Sequence, residues 1–319
     1  MLSAGGDGIR LVTDPDARPT DHLPGTVLPG FVDSHVHLGL VDASALVAGG
    51  IAAVDDLGWD PAIAKTWTDA PGLPEVRFAG AFLTAPGGYP SDRSWAPAAS
   101  VEEIASAEDG PAAVDRQLAY GASQIKITLN TDAGPALDDA TLAAIVGHAH
   151  LRGVTVTAHA QGAGQAARAF EAGVDRLAHT PWTERLDDQL LAAMAGPKAL
   201  SLRGAQTWVS TLDIHGYGTY GADYEIAQDN LRRFHACGGQ VVYGTDLGNG
   251  PLPLGVNVRE LRALATAGLD DSAVLRAITA PRFGSRVSYL AGERAGDLAD
   301  WLATASVITA QQLINREHA

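Results

Sequence analysis

Leu28-Pro29-Gly30-Phe31-Val32-Asp33-Ser34-His35-Val36-His37 is the stretch on which the reading of this chain turns. Pro29-Gly30 marks a turn, and the residues after it alternate as an extended segment does. On a strand, residues two apart face the same side, so His35 and His37 can address one ion. A His-x-His pair is a weak signal alone. The chain supplies its own control in His148-Ala149-His150. That pair falls in Thr141–Leu151, which reads as helix, where residues two apart diverge. His148 and His150 are therefore expected on a helix surface or end, without a ligand role.

Working outward from His35, short β-branched runs alternate with longer Ala/Leu-rich runs of helical period. This pattern predicts parallel strands with helical crossovers. Eight strands are expected, near Phe31–His37, Ile51–Leu57, Val76–Leu83, Gln124–Leu129, Val154–His159, Arg176–His179, Ala199–Ala205 and Gln240–Asp246. The clearest helices are expected at Val101–Tyr120, Asp138–Leu151, Gly164–Ala172, Glu184–Met194, Ala222–Ala236 and Gly255–Ala267. Ser100 and Glu103 would form a capping box for the first. Eight strand–helix units in 319 residues predict an α/β fold, a (β/α)8 TIM barrel over residues 29–282. Residues 1–28, with one candidate strand at Ile9–Val12, and residues 283–319 are expected to form an abbreviated side β-structure or cover.

Chemistry-bearing residues recur at the ends of these strands. Lys126, one of three lysines, lies in Gln124-Ile125-Lys126-Ile127-Thr128. Alternation turns Gln124, Lys126 and Thr128 toward the barrel axis, where burial drives an amine toward its neutral form. Such an amine can take up carbon dioxide as a carbamate, whose two oxygens can bridge two cations. Its alternative is an ion pair with an inward carboxylate. His159 ends Val154–His159, and His179 ends Arg176–His179. Asp246 follows Val241-Val242-Tyr243-Gly244-Thr245 as an inward carboxylate at the end of the last strand, the face on which barrel active sites lie. There a carboxylate can bind a metal and move a proton.

From about Leu23 to Phe283 the chain resembles the metal-dependent amidohydrolase superfamily, in the branch of imidazolonepropionase-like enzymes and Xaa-Pro dipeptidases. The resemblance rests on Leu28–His37, Gly50–Gly58, Ile125-Lys126-Ile127, Ala158-His159-Ala160, Ala178-His179-Thr180 and Gly244-Thr245-Asp246. It implies that His35, His37 and Asp246 hold one metal, that His159 and His179 hold a second, and that carbamylated Lys126 bridges them. It further implies a hydrolase in which a hydroxide attacks a C–N bond of an amide, dipeptide or cyclic amide, with Asp246 as the catalytic proton shuttle. Zinc suits the nitrogen and oxygen ligands best. A mononuclear deaminase on the same barrel, or a lyase or cyclase, is the alternative. Deaminase relatives generally lack the bridging lysine.

Substrate contacts are sought in the βα loops. Tyr89, Arg93 and Trp95 lie in the loop after strand three. Gln206, Trp208, His215, Tyr217 and Tyr220 lie in the loop after strand seven. Of these Tyr89, Arg93, Trp208 and Tyr220 are the expected substrate residues, suited to a small amide or cyclic amide. His235 and Cys237 are expected to be structural. A formal net charge of −15 disfavours nucleic acid or an anionic membrane as partner, and a small molecule is expected. No run of about 18 apolar residues suggests a membrane span. The N-terminus lacks the basic and apolar regions of a signal peptide, and the single cysteine, Cys237, excludes an intrachain disulfide. A cytoplasmic enzyme, with homo-oligomerisation left open, is the expectation.

Overall fold

The computed structural model describes residues 2–5, 8–12, 16, 23–197, 202, 204–294 and 296–316. Two short strands, β1 (Leu2–Gly5) and β2 (Gly8–Leu11), pair antiparallel as a hairpin, and β3 (Gly25–Pro29) leads into the barrel. The barrel wall is built from β4 (Val32–Val36), β5 (Ala53–Asp56), β6 (Glu75–Phe78) and β7 (Phe82–Thr84). After the outlying β8 (Val101–Glu103) it continues through β9 (Gln124–Asn130), β10 (Thr155–Gln161), β11 (Arg176–Leu177), β12 (Thr207–Val209) and β13 (Gln240–Val242). All neighbours in the wall pair in parallel. The last strand meets the first through Ser34 N–H to Tyr243 O at 3.0 Å and His37 N–H to Leu247 O at 2.7 Å, which closes the barrel.

The run expected as one strand over Val76–Leu83 is two. β6 pairs with β5, and β7 pairs with β9. Between them Gly80 takes φ +79, and a Cβ there would lie 2.4 Å from the Gln117 side-chain oxygen. That oxygen accepts from Ala81 N–H at 2.9 Å. Only glycine fits both the dihedral and the space, so the chain bends there and serves one neighbour on each side.

Alternation on β9 and β10 fixes what faces the axis. Ile125, Ile127 and Leu129 are buried against helices, whereas Gln124, Lys126, Thr128 and Asn130 point inward with Thr157 and His159. In register, Lys126 sits beside Thr157 and Phe82. Three of the outer helices start on Asp caps: Asp138 accepts from Thr141 N–H, Asp187 from Leu190 N–H and Asp270 from Ala273 N–H. Each such cap is worth about 1 kcal/mol.

Two expected elements move. Val101–Glu103 is a strand beside β7, and the helix runs Gly110–Tyr120. Ser100 gives its hydroxyl to Pro97 O and does not cap that helix. Much of the expected strand Ala199–Ala205 lies outside the described residues. The strand between β11 and β13 is Thr207–Val209. Gly204, just before it, takes φ +86.

A second sheet joins the two chain ends: β3 pairs antiparallel with β14 (Arg286–Ala291), which pairs with β15 (Ser306–Thr309). Ile9, Val287 and Ala310 form a small core of their own there. Phe31 N–H donates to Ser288 Oγ at 2.8 Å and Ala280 N–H to Gly30 O at 2.8 Å, so this sheet hangs from the end of the barrel where the strands begin. Among the described residues no helix is long and apolar enough to cross a membrane.

Candidate metal centre

β4 and the segment after β13 bring three acceptor atoms to one point. His35 Nε2 and His37 Nε2 lie 3.1 and 3.2 Å from Asp246 Oδ1 and 3.3 Å from each other. Each imidazole is engaged on its other nitrogen, His35 Nδ1 with Ala178 O at 2.8 Å and His37 Nδ1 with Gly58 O at 3.1 Å. A carbonyl only accepts, so both protons sit on Nδ1 and both Nε2 lone pairs face the carboxylate. Three buried acceptors pressed together without a donor repel one another, and a cation is the natural complement. The orientation of each ring by a backbone carbonyl is the usual second support of a metal-ligating histidine.

The backbone around these atoms is held firmly. Asp33 accepts from His35 N–H, Thr245 N–H and the Thr245 hydroxyl at 3.2, 3.0 and 2.6 Å. Burial nevertheless pushes its carboxyl up to about 7. Asp246 takes φ +58, a turn that swings its carboxylate back over β4, with its N–H on His35 O at 2.8 Å. Its second oxygen accepts from Asn249 Nδ2 at 3.0 Å. Gly58, whose carbonyl orients His37, sits at φ +153, and a Cβ there would strike the Phe82 ring at 2.2 Å. Asp56 accepts from Leu38 N–H at 2.8 Å and Gly58 N–H at 3.3 Å, shaping the turns after β4 and β5.

Lys126, His159 and His179 complete the group. The His179 ring lies 4.7 Å from His35 and 4.9 Å from His159, centroid to centroid. Its Nδ1 meets the Thr211 hydroxyl at 3.0 Å. With His159 Nε2–H donating to the Gln161 side-chain oxygen at 3.1 Å, the Nδ1 lone pair is left for a cation, and the Asn130 amide lies 3.3 Å from the same Nε2. Lys126 is 1% exposed, and among the described residues it forms no ion pair. Burial lowers its amine to about 7, against the pull of Asp246 and Asp56. Desolvation holds His35 and His179 well below the ordinary imidazole value and takes His159 down to about 4. For Asp246 burial acts upward, but positive charge at the His35, His37 and His179 positions, which a bound cation would supply in place of ring protons, outweighs it and keeps the carboxyl well below its usual range. Neutral nitrogens and an ionised carboxylate are the protonation states that bind divalent cations.

A cavity of about 200 Å3 opens over these side chains, walled by Tyr89, Arg93, Trp95, Asn130, Gln161 and Trp182. Tyr89 stacks on His159 with 5.1 Å between centroids, and the Arg93 guanidinium lies 5.5 Å from the Tyr89 ring centre. A second chamber of about 290 Å3 adjoins it across His37 and Asp246, bounded by Leu40, Gly248 and Gly250.

Two expected substrate residues are elsewhere. Trp208 is 0% exposed in β12, stacked on Phe234 at 3.9 Å, with its N–H on the Gln206 side chain. It faces the helix layer because β12 starts later than expected. Tyr220 is 46% exposed and stacks on Tyr224 at 3.7 Å, outside the cavity. Tyr217 gives its hydroxyl to Asn249 O, and His215 packs on Trp182. The pair His148 and His150 lies on the helix Asp139–Leu151 and diverges, one to Asp115 and the other to Asp175, both at 2.9 Å. The sequence reading missed Asn130 and Gln161, although each stands two residues beyond an inward Thr128 or His159 and continues the same alternation. Trp182, Thr211 and Asn249 lie in irregular segments that carry no such signal.

No family model matches the chain. Uncharacterized proteins of Mycobacterium tuberculosis and Mycobacterium bovis are 27% identical to it over 266 residues, covering 75% of this chain and 69% of theirs. Among solved structures, a prolidase candidate from Bifidobacterium longum superposes with a TM-score of 0.75 at 23% identity, over 100% of this chain and 93% of that one. A. niger ochratoxinase gives 0.74 at 16% identity, over 96% and 89%. A Xaa-Pro dipeptidase with bound methionine gives 0.69 at 20% identity, over 90% and 86%. The fold of this chain is thus the barrel with added β-structure that these hydrolases share.

Proposed function

We propose that the chain is a metal-dependent amidohydrolase of the Xaa-Pro dipeptidase-like branch, a binuclear hydrolase that cleaves a C–N bond in an amide, a dipeptide or a cyclic amide. The observation that carries this reading is the meeting of His35 Nε2, His37 Nε2 and the Asp246 carboxylate, with no proton donor between them among the described residues, beside two further buried imidazoles and the buried Lys126. The names of the solved structures with this fold, a dipeptidase and an ochratoxinase among them, support the reaction class.

His35, His37 and Asp246 would hold one divalent ion, and His159 and His179 a second. Zinc is the ion that the nitrogen-rich set suits best. Lys126 would bridge the pair as a carbamate: its neutral amine adds to the carbon of carbon dioxide and releases one proton. An amine lowered to about 7 is neutral in about half of the molecules at neutral pH, where an ordinary lysine is almost wholly charged. Bound there, the ions supply Lewis-acid polarisation of the scissile carbonyl and make an attacking water more acidic. The protein's own part is proton transfer and positioning. Asp246, steadied through Asn249, takes a proton from the attacking water and returns it to the leaving nitrogen. Tyr89, Trp95 and Trp182 wall off bulk water. Arg93, at the cavity mouth, offers its guanidinium to a substrate carboxylate. The two chambers beside Asp246 suit a small molecule with one group on each side of the cleaved bond. A cytoplasmic setting belongs to the same reading and accords with a single cysteine.

Metal analysis together with a panel of acyl-amino acids, Xaa-Pro dipeptides and lactams tests this function. The purified chain should hold close to two ions and hydrolyse members of one class. Lys126→Ala should lose metal and turnover together. Full loading and full activity in that variant would exclude the bridging lysine, and one ion per chain with ammonia released from a ring amine would favour a deaminase.

A further inference from the structure

The segment after β12 contains a strained residue that touches a buried imidazole. Thr211 takes φ +40, a left-handed conformation that a β-branched residue adopts only when its surroundings impose it. Its hydroxyl lies 3.0 Å from His179 Nδ1. With that oxygen accepting from Nδ1–H, His179 keeps its Nε2 lone pair for the centre.

What imposes the conformation is a carboxylate from another element. Glu260 lies in the first turn of the helix Val258–Thr266 and is 0% exposed. A glutamate at this position commonly folds back on its own helix start. Here Asn257 caps that helix alone, accepting from Arg259 and Glu260 N–H, and the Glu260 side chain reaches across to the strand-seven loop. It accepts from Leu212 N–H at 3.0 Å and Asp213 N–H at 2.7 Å, the two amides that follow Thr211. The Ser210 side chain, just before Thr211, favours the ionised form of the same carboxylate, while its hydroxyl donates to Gly244 O at 3.4 Å on the neighbouring segment. Asp213 is tied to the same helix start, accepting from Asn257 Nδ2 at 2.7 Å and Arg259 Nε at 2.8 Å. Residues 210–213 are thereby gripped on both sides of the strained position.

We infer that Glu260 is a positioning residue for the second ion: it holds Thr211 in the left-handed conformation and so sets the tautomer and aim of His179. Glu260 lines neither chamber of the cavity and touches no proposed ligand. Its effect passes through the loop backbone and one hydroxyl. This inference rests on the binuclear reading given above.

Zinc titration of the metal-free protein, followed by ion counting after dialysis, tests it. Glu260→Gln leaves one acceptor and sets an amide NH2 against the backbone N–H groups. It should weaken the second zinc by about 10–100-fold, the usual worth of an outer support to a metal ligand, and leave the first unchanged. Thr211→Val, which keeps the branched shape and removes the hydroxyl, should do the same, and Thr211→Ser should restore binding. Asp175→Asn is the control for stability alone. Asp175 is an equally buried carboxylate holding Val156 and Leu202 N–H groups near the strand starts, and its loss should lower Tm without changing either zinc affinity. Second-ion affinity in Glu260→Gln equal to wild type overturns the inference. Should that variant fail to fold, wild-type affinity in Thr211→Val overturns it equally. A wild-type chain that takes up a single ion instead overturns the binuclear reading itself, and this inference with it.

Discussion

The chain contains the same tripeptide pattern twice, His-Val-His at 35–37 and His-Ala-His at 148–150, and the two could hardly behave more differently. On and just after β4 the rings converge, with 3.3 Å between their Nε2 atoms, each braced by a carbonyl and both aimed at one carboxylate. On the helix Asp139–Leu151 they part, and each ring finds a separate aspartate, His148 the exposed Asp115 and His150 the buried Asp175. A rotation of 180° per residue superposes alternate side chains, whereas 100° per residue splays them. Backbone period, and not residue type, decides which pair can chelate.

The largest test of that contrast removes one ring at a time. His35→Ala or His37→Ala should abolish turnover and strip the metal bound by the first site. His148→Ala and His150→Ala should keep both, measured by ion counting and by rate on the active member of the substrate panel. An essential role for the helical pair would break the comparison.

A smaller effect sharpens it. The strand pair shares one carboxylate, to which the proposed function assigns proton transfer as well as binding. Asp246→Asn keeps the shape and one oxygen ligand but carries no proton, so turnover should fall by about 10²–10⁴-fold, with much of the metal retained. The corresponding change beside the helical pair, Asp115→Asn, should leave the rate unaltered. Near-normal turnover in Asp246→Asn would assign the proton to another group, and His215, packed on Trp182 at 5.0 Å, would be the next to replace.

The smallest effect concerns stability. Burial lowers His159 to about 4, from an unfolded value of 6.5, and shifts His35 and His179 in the same direction. The sign follows from proton uptake: between these values the unfolded chain binds protons that the folded chain refuses. Stability from these rings is therefore complete above pH 6.5 and is lost as pH falls toward 4. The Tm of the metal-free protein should drop over that window, and His159→Gln should flatten the drop by a few degrees. An unchanged slope in that variant would remove His159 from the buried set.

How much of this was legible in the sequence depends on what each residue's position obeys. His35, His37, Lys126 and His159 obey a period of two on or beside strands with strong apolar alternation, and their inward direction could be read directly. Asn130 and Gln161 obey the same rule one step further along and were missed for want of extending it. Trp208 was misplaced because β12 is only three residues long and begins after Gly204, so a shift of a few positions turned a wall residue into an apparent loop residue. Tyr220 looked like a loop aromatic facing substrate, but a neighbouring ring, Tyr224, offered it a partner on the outer side. Thr211 and Glu260 could not be paired by any local rule, since they lie 49 positions apart and meet through backbone amides. The bend at Gly80 was equally silent, because its need appears only once Gln117 is in place.

The residues that close the barrel are also the ones that converge on the centre. Asp33 grips Thr245, Asp246 N–H rests on His35 O, and the two imidazoles beside them face the Asp246 carboxylate. The zipper that joins the first strand to the last therefore ends at a lock, and on the proposed function a cation would be its key. An ion at one hundred times its dissociation constant would add about 2.7 kcal/mol to the closed form. On the function proposed above, loss of that ion would weaken this seam, so that metal supply would bear on how long the fold survives as well as on turnover.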